Sequence, residues 1–160
     1  MPWSRLNGQG KTRNGISLID VTVTILVMGI FAAVAIPRFA DSMHHYRTET
    51  AADKVRADLN YARKLAVARS TDVTVEFDTV ADNYTLVGIG HPDRVGQSYV
   101  VQLNQNPYQS DLASASFGGG STIVFDAFGT PDNGGTVTVQ AGAYSQTVTV
   151  DPDTGKATSP

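Results

Sequence analysis

The chain has 160 residues, no cysteine and a formal net charge of −3, which suits one domain of ordinary size and excludes disulfide and thiolate chemistry. Its charges are unevenly placed: from Asp72 onward two basic residues face ten acidic ones, whereas residues 38–69 hold seven basic against four acidic. That balance favours contact between the basic segment and an acidic neighbour, another copy included, and it makes nucleic acid a poor partner for the C-terminal part, since phosphate neutralisation needs Lys and Arg.

Residues 1–15 are polar and basic, with Arg5, Lys11 and Arg13 and no acid, and they end in Asn14-Gly15. The composition changes abruptly at Ile16. Residues 16–36 read ISLIDVTVTILVMGIFAAVAI, with Asp20 as their one charge. A helix over this stretch spans about 31 Å at 1.5 Å per residue, close to the hydrocarbon thickness of a bilayer. The basic flank puts the N-terminus in the cytoplasm by the positive-inside rule and the remainder beyond the inner membrane. Asp20 is costly in such a helix. Either it snorkels to the interface or it pairs with a positive charge inside an assembly.

The run Gly15-Ile16-Ser17-Leu18-Ile19-Asp20, with Gly29 and Pro37 fourteen and twenty-two residues into a chain counted from Ile16, resembles the type IV prepilins and the pseudopilins of type II secretion. Three positions depart from that family's usual pattern: Ile16 stands for Phe, Asp20 for Glu, and Asn14 for the common Lys before the Gly. The resemblance implies a prepilin leader over residues 1–15, cut after Gly15 by a prepilin peptidase that also methylates the new amine of Ile16. It implies an assembly helix over residues 16–36, in which Asp20 of one subunit compensates the freed amine of its neighbour. Asp is a shorter carboxylate than Glu, so its reach to that amine is the open point of the match. A conventional secretory cut after Ala35, at Ala33-Val34-Ala35, is disfavoured because the apolar run exceeds a normal signal core.

Pro37 removes the backbone hydrogen bond to Ala33 and either ends the helix or bends it; the resemblance favours continuation. Beyond it Phe39, Met43, Tyr46, Ala52, Val55, Leu59, Ala62 and Ala66 recur at spacings of three and four with one gap, an amphipathic pattern with a single buried stripe. The expectation is one helix over residues 17–69, its amphipathic half covering 37–70. Glu49/Asp53 and Lys54/Asp58 sit four apart on its charged side, where they add small local terms. His44 and His45 point about 100° apart on a helix and read as solvated surface.

After Ser70 the period changes from 3.6 to 2. Strands are expected over 73–77, 84–89, 98–103, 122–126, 136–140 and 146–150, the last two as a hairpin around Ala141-Gly142-Ala143. Residues 104–120, polar and ending in Gly118-Gly119-Gly120, read as a mobile loop. A helix followed only by strands is an α+β arrangement, a long N-terminal helix packed on antiparallel sheet in a pilin-like manner, with residues 71–160 as the β-rich periplasmic part. The helix end Leu65-Ala66-Val67-Ala68-Arg69, the Phe125-to-Gly129 segment and the Thr154-Gly155 turn resemble the H-type minor pseudopilins of type II secretion and the related T-type minor pilins.

No catalytic constellation stands out. The serines lack a nucleophile-elbow context, the histidines lack a motif, and Gly118-Gly119-Gly120 lacks the Lys and helix start of a phosphate loop. Asp151-x-Asp153-x-Gly155 lacks the bidentate Glu of a calcium loop and reads as a capped turn, with Asp126 and Asp132 the weaker metal alternative. The expectation is therefore a structural subunit with no catalytic residue, cofactor or metal. Its partners are prepilin peptidase, other pilins or pseudopilins, the inner membrane and secreted cargo. The alternative is a minor type IV pilin for pilus assembly or DNA uptake, whose basic patch would come from Arg63, Lys64, Arg69 and Arg94.

Overall fold

The computed structural model describes residues 17–160, apart from the side chains of residues 36 and 37, so Gly15 and Ile16 lie outside the described residues. Helix α1 runs Leu18–Arg69, and Pro37 lies within it, so Pro37 does not end the helix. The chain separates into two units, Met1–Phe39 and Ala40–Pro160.

In the second unit, α1 is followed by β1 (Val73–Asp78), β2 (Asn83–Gly90), β3 (Ser98–Gln102), β4 (Asp111–Phe117), β5 (Thr122–Phe125), β6 (Gly135–Ala141), β7 (Tyr144–Val150) and β8 (Ala157–Thr158). They form two four-stranded sheets, β3-β2-β1-β5 and β4-β6-β7-β8, with every pairing antiparallel. Simple alternation carries β1, where Val73, Val75 and Phe77 turn inward, and β6, where Val137, Val139 and Ala141 do. Apart from Ala141, these side chains, their counterparts on β2, β5 and β7, and one stripe of α1 make a single apolar core.

The helix stripe is shorter than its periodicity suggests. Ala52, Val55, Leu59, Ala62 and Ala66 are fully buried, but Phe39, Met43 and Tyr46 are exposed. The buried face starts instead at Thr48 and Ala51, inside the gap in the pattern. Burial of Leu59 alone stabilises the fold by about 1.5–3 kcal/mol.

Residues 104–120 do not form one loop. They contain β4, an edge strand paired with β6. Leu112 and Phe117 are both buried although their positions differ by an odd number, which on a regular strand puts two side chains on opposite faces. A register shift between Leu112 and Ser114 restores the common face, as an extra residue in a strand does. The irregularity that makes the strand work also hides it from a period of two. Strand β8, two residues long, has no such pattern to read.

Candidate functional site: an exposed apolar helix and a buried polar clamp

Among the described residues, one helix, α1, is long and apolar enough to cross a membrane. Its most apolar 18-residue window has a mean hydropathy of 2.4 and none of it is buried. Leu18, Ile25, Leu26, Met28, Ile30 and Phe31 all stand open. An exposed apolar surface of this extent marks contact with lipid or with protein. The helix is prepared for such surroundings. Ser17 begins it, its carbonyl accepting the amides of Asp20 and Val21 at 3.0 and 3.2 Å. The hydroxyls of Thr22 and Thr24 turn back to the carbonyls of Leu18 and Asp20 at 3.1 and 2.6 Å, so neither needs water. Asp20 lies in the first turn, where a negative charge suits the helix dipole. Gly29 is helical, and a Cβ there would meet nothing within 4 Å.

The second unit holds a feature that the sequence pattern misplaces. Asp58 is buried, not on a charged outer face. Its Oδ1 accepts hydrogen bonds from Lys54 Nζ at 2.8 Å and Tyr99 Oη at 2.9 Å, and its Oδ2 accepts from Tyr84 Oη at 2.6 Å. Lys54 Nζ also donates to Tyr99 Oη at 2.9 Å. Each charge is thus compensated and hydrogen-bonded, the condition under which a buried ion pair is tolerated. The cluster joins α1 to β2 and β3. His91 and Tyr61 stack on Tyr99, at centroid distances of 5.3 and 6.2 Å.

Burial, the largest influence, pulls the Lys54 ammonium down, but hydrogen bonds to Asp58 and Tyr99 and attraction to Asp58 outweigh it and hold its pKa above the usual value. Burial raises Tyr84 and Tyr99, and the Asp58 charge raises both further, although Lys54 opposes the rise at Tyr99. All three groups keep their protons longer in the folded state. Their stabilisation is complete below about pH 10 and is lost as the pH rises, because the unfolded chain then binds fewer protons than the folded one. An alkaline unfolding limb beginning near pH 10 is expected, and a denaturant titration across pH 8–12 should show Tyr84→Phe making that limb shallower.

Other links tie the same helix to the sheets. Asn60 Nδ2 donates to the carbonyl of Ala157 at 2.9 Å, and its Oδ1 accepts the Ala157 amide at 3.2 Å, so one side chain serves β8 as a strand partner. Arg63 Nε donates to the carbonyl of Gly129 at 3.2 Å. His44 is half-buried rather than solvated, since the β6–β7 turn at Gly142 lies against its ring. Its Nδ1 is buried without a partner. His45 remains exposed beside Glu49, 3.9 Å away.

The carboxylates of the acidic turns hold backbone amides. Asp126 Oδ1 accepts the amides of Phe128 and Thr130, Asp132 Oδ1 those of Val124 and Asn133, and Asp151 Oδ1 those of Asp153 and Thr154 with the Thr154 hydroxyl. The bonds from Thr154 hold the Asp151 carboxyl below its usual range. Among the described residues no group of three or more His, Cys, Asp or Glu is placed to hold a metal. The proposed basic patch is not gathered in one place: Arg63 and Lys64 line one groove, and Arg94 lines another with Lys54 and His91.

A family model described as type II transport protein GspH matches residues 51–154. The chain belongs to the GspH family. The matched stretch starts at Ala51, where the buried face of α1 begins, and reaches Thr154 in the last turn, so it takes in the clamp and seven of the eight strands. GspH-family membership makes the chain a minor pseudopilin of type II secretion, a structural subunit that associates with other pilin-like subunits. Two crystal structures of the type IV minor pilin FimU from Pseudomonas aeruginosa PAO1 are similar to it. One is 14% identical over 71% of this chain and 87% of that chain, the other 15% identical over 70% and 91%, each with a TM-score of 0.49. No curated protein matches the chain.

Proposed function

We propose that this GspH-family chain is made as a prepilin, cut after Gly15 by a prepilin peptidase and methylated on Ile16. Residues 16–36 hold it in the bacterial inner membrane by a single pass, N-terminus in the cytoplasm and residues 71–160 in the periplasm. Residues 37–70 continue the helix into that periplasmic part. The chain then enters a pseudopilus that helps export folded cargo. The observation that carries the reading is that the most apolar 18-residue window of α1 is wholly unburied, while the second unit has an apolar core of its own. An apolar helical segment left exposed over this extent requires lipid before assembly and other helices after it.

Within that reading Asp20 compensates the freed amine of Ile16 on a neighbouring subunit, and Pro37 loosens the helix by removing one backbone bond. Gly29 leaves room for a neighbouring helix to approach, since among the described residues nothing lies within 4 Å of a Cβ placed there. Gly29→Ala should leave the purified full chain as stable or slightly more stable, by up to about 1 kcal/mol from helix propensity. The same change should lower the yield of sheared pseudopili. Equal yields for the two forms would remove the packing role.

The deciding experiment is intact mass and N-terminal sequencing of the protein from cells with and without the peptidase. A chain beginning at methylated Ile16 only when the peptidase is present is expected, and Gly15→Val should leave it uncut. A chain beginning at Ile36 would make it an ordinary secreted domain and end the proposal. An uncut chain in peptidase-containing cells would reduce the apolar helix to a plain anchor.

A further inference from the structure

Phe128 is the most prominent aromatic side chain on the second unit, with 85% of its surface exposed, yet the turn that carries it is tightly held. Asp126 Oδ1 accepts the amides of Phe128 and Thr130 at 2.9 and 2.8 Å. The Gly129 amide donates to the carbonyl of Asp126 at 2.9 Å. Gly129 itself is buried, its carbonyl takes the Arg63 hydrogen bond, and a Cβ on it would come within 2.9 Å of Val67 Cγ2. The turn is therefore pressed on the end of α1, and Phe128 is presented to solvent in one place rather than left on a loose loop. Rigid exposed aromatics are costly to leave in water and are the usual anchors of protein interfaces.

Beside this turn a groove of about 300 Å³ is lined by Arg63, Lys64, Val67 and Ala68. Its floor is apolar, Val67 being about half exposed, and two cations border it. No acidic side chain lines it. The nearby carboxylates of Asp126 and Asp151 are engaged by backbone amides of their own turns. A symmetric pairing of two such surfaces would set cation against cation. The complementary surface is one that offers an acidic group beside an apolar recess.

We propose that the Phe128 turn and the Arg63–Lys64–Val67 groove form a docking surface for a different pilin-like subunit, with Phe128 filling an apolar recess and Lys64 meeting a carboxylate. The proposal rests on the chain's place among pilin-like subunits and is independent of cleavage after Gly15. Arg63 positions the turn through Gly129, and Lys64, exposed and adjacent, supplies the steering charge.

Because the chain has no cysteine, a benzophenone attached to Phe128→Cys labels one position of the full chain in secreting cells. Illumination is expected to give an adduct with another pilin-like subunit, mapping beside an Asp or Glu of that subunit. Adding Lys64→Glu should lower the adduct yield about tenfold, as losing an interface charge pair does. Changing the mapped acid to Lys should restore it. Thermal melts of Phe128→Cys and Lys64→Glu should match the parent, since both side chains are exposed. Adducts only with a second copy, adducts with nucleic acid, or no adduct with any subunit would overturn the proposal, as would a yield indifferent to Lys64→Glu. Intact mass of the same sample reports cleavage separately, so an uncut chain that still forms the adduct overturns the processing scheme alone.

Discussion

Replacing Asp58 with Ala is expected to lower the unfolding free energy by about 3–5 kcal/mol, the cost of breaking a buried ion pair from one side. Three donors lose their acceptor at once: Lys54 Nζ, Tyr99 Oη and Tyr84 Oη. The Tyr84 hydroxyl suffers most, because Tyr84 is fully buried and water cannot replace the carboxylate, whereas Lys54 can swing outward. A loss of this size moves the thermal midpoint down by on the order of 10 °C or more, which circular dichroism of the full chain in detergent would register. Asp58→Asn tests the charge apart from the shape, and Lys54→Met combined with it should cost less than the two single changes added. Additive costs, or a midpoint within two or three degrees of the parent for Asp58→Ala, would show that the cluster is not the clamp described.

Gly155→Ala should be nearly as damaging, at about 2–4 kcal/mol from a left-handed backbone and a steric overlap together. Gly155 has φ +65°, and its missing Cβ would run into the carbonyl of Gly129, with Pro131 Cδ at 3.1 Å and Arg63 Cδ at 3.3 Å. Gly119 separates the two contributions. It has φ +95° with nothing within 4 Å of its missing Cβ, so Gly119→Ala should show the backbone cost alone, about 1–2 kcal/mol. Comparable losses at the two sites in a denaturant titration would mean that the last turn is not packed against the Phe128 turn as closely as the structure has it.

Long, regular elements were legible from the residues. The change of period at Ser70 separates helix from strands, and the expected helix end at Arg69 coincides with the observed one. Six of the strands fall where alternation places them, to within two residues at each end. β4 was not legible because its register shift breaks the alternation between Leu112 and Phe117. β8 is two residues long and is held between β7 and a helix side chain, Asn60, neither of which its own sequence reveals. The clamp was half visible. The Lys54/Asp58 spacing is plain, but such a pair on a helix is ordinarily solvated. Only the tyrosines that the sheet brings from 26 and 41 residues downstream turn it into core chemistry. An Asn in the helix interior, with its poor propensity, was the one signal that could have pointed to Asn60. The leader motif was the most specific signal in the chain, and Gly15 and Ile16 lie outside the described residues, so that part of the site rests on the motif.

The paired bonds between Asn60 and Ala157 span 97 residues of sequence. A ribosome finishes the long helix early and delivers Ala157 after both sheets' other strands. Until then Asn60 has no strand to receive, and sheet β4-β6-β7 presents an unfinished edge at β7. Contacts so distant in sequence form late and slowly, and an open edge in the meantime invites pairing with the wrong chain. The nascent domain therefore depends on β8 to close the β7 edge, and that interval rather than the finished fold is when mispairing at β7 threatens it.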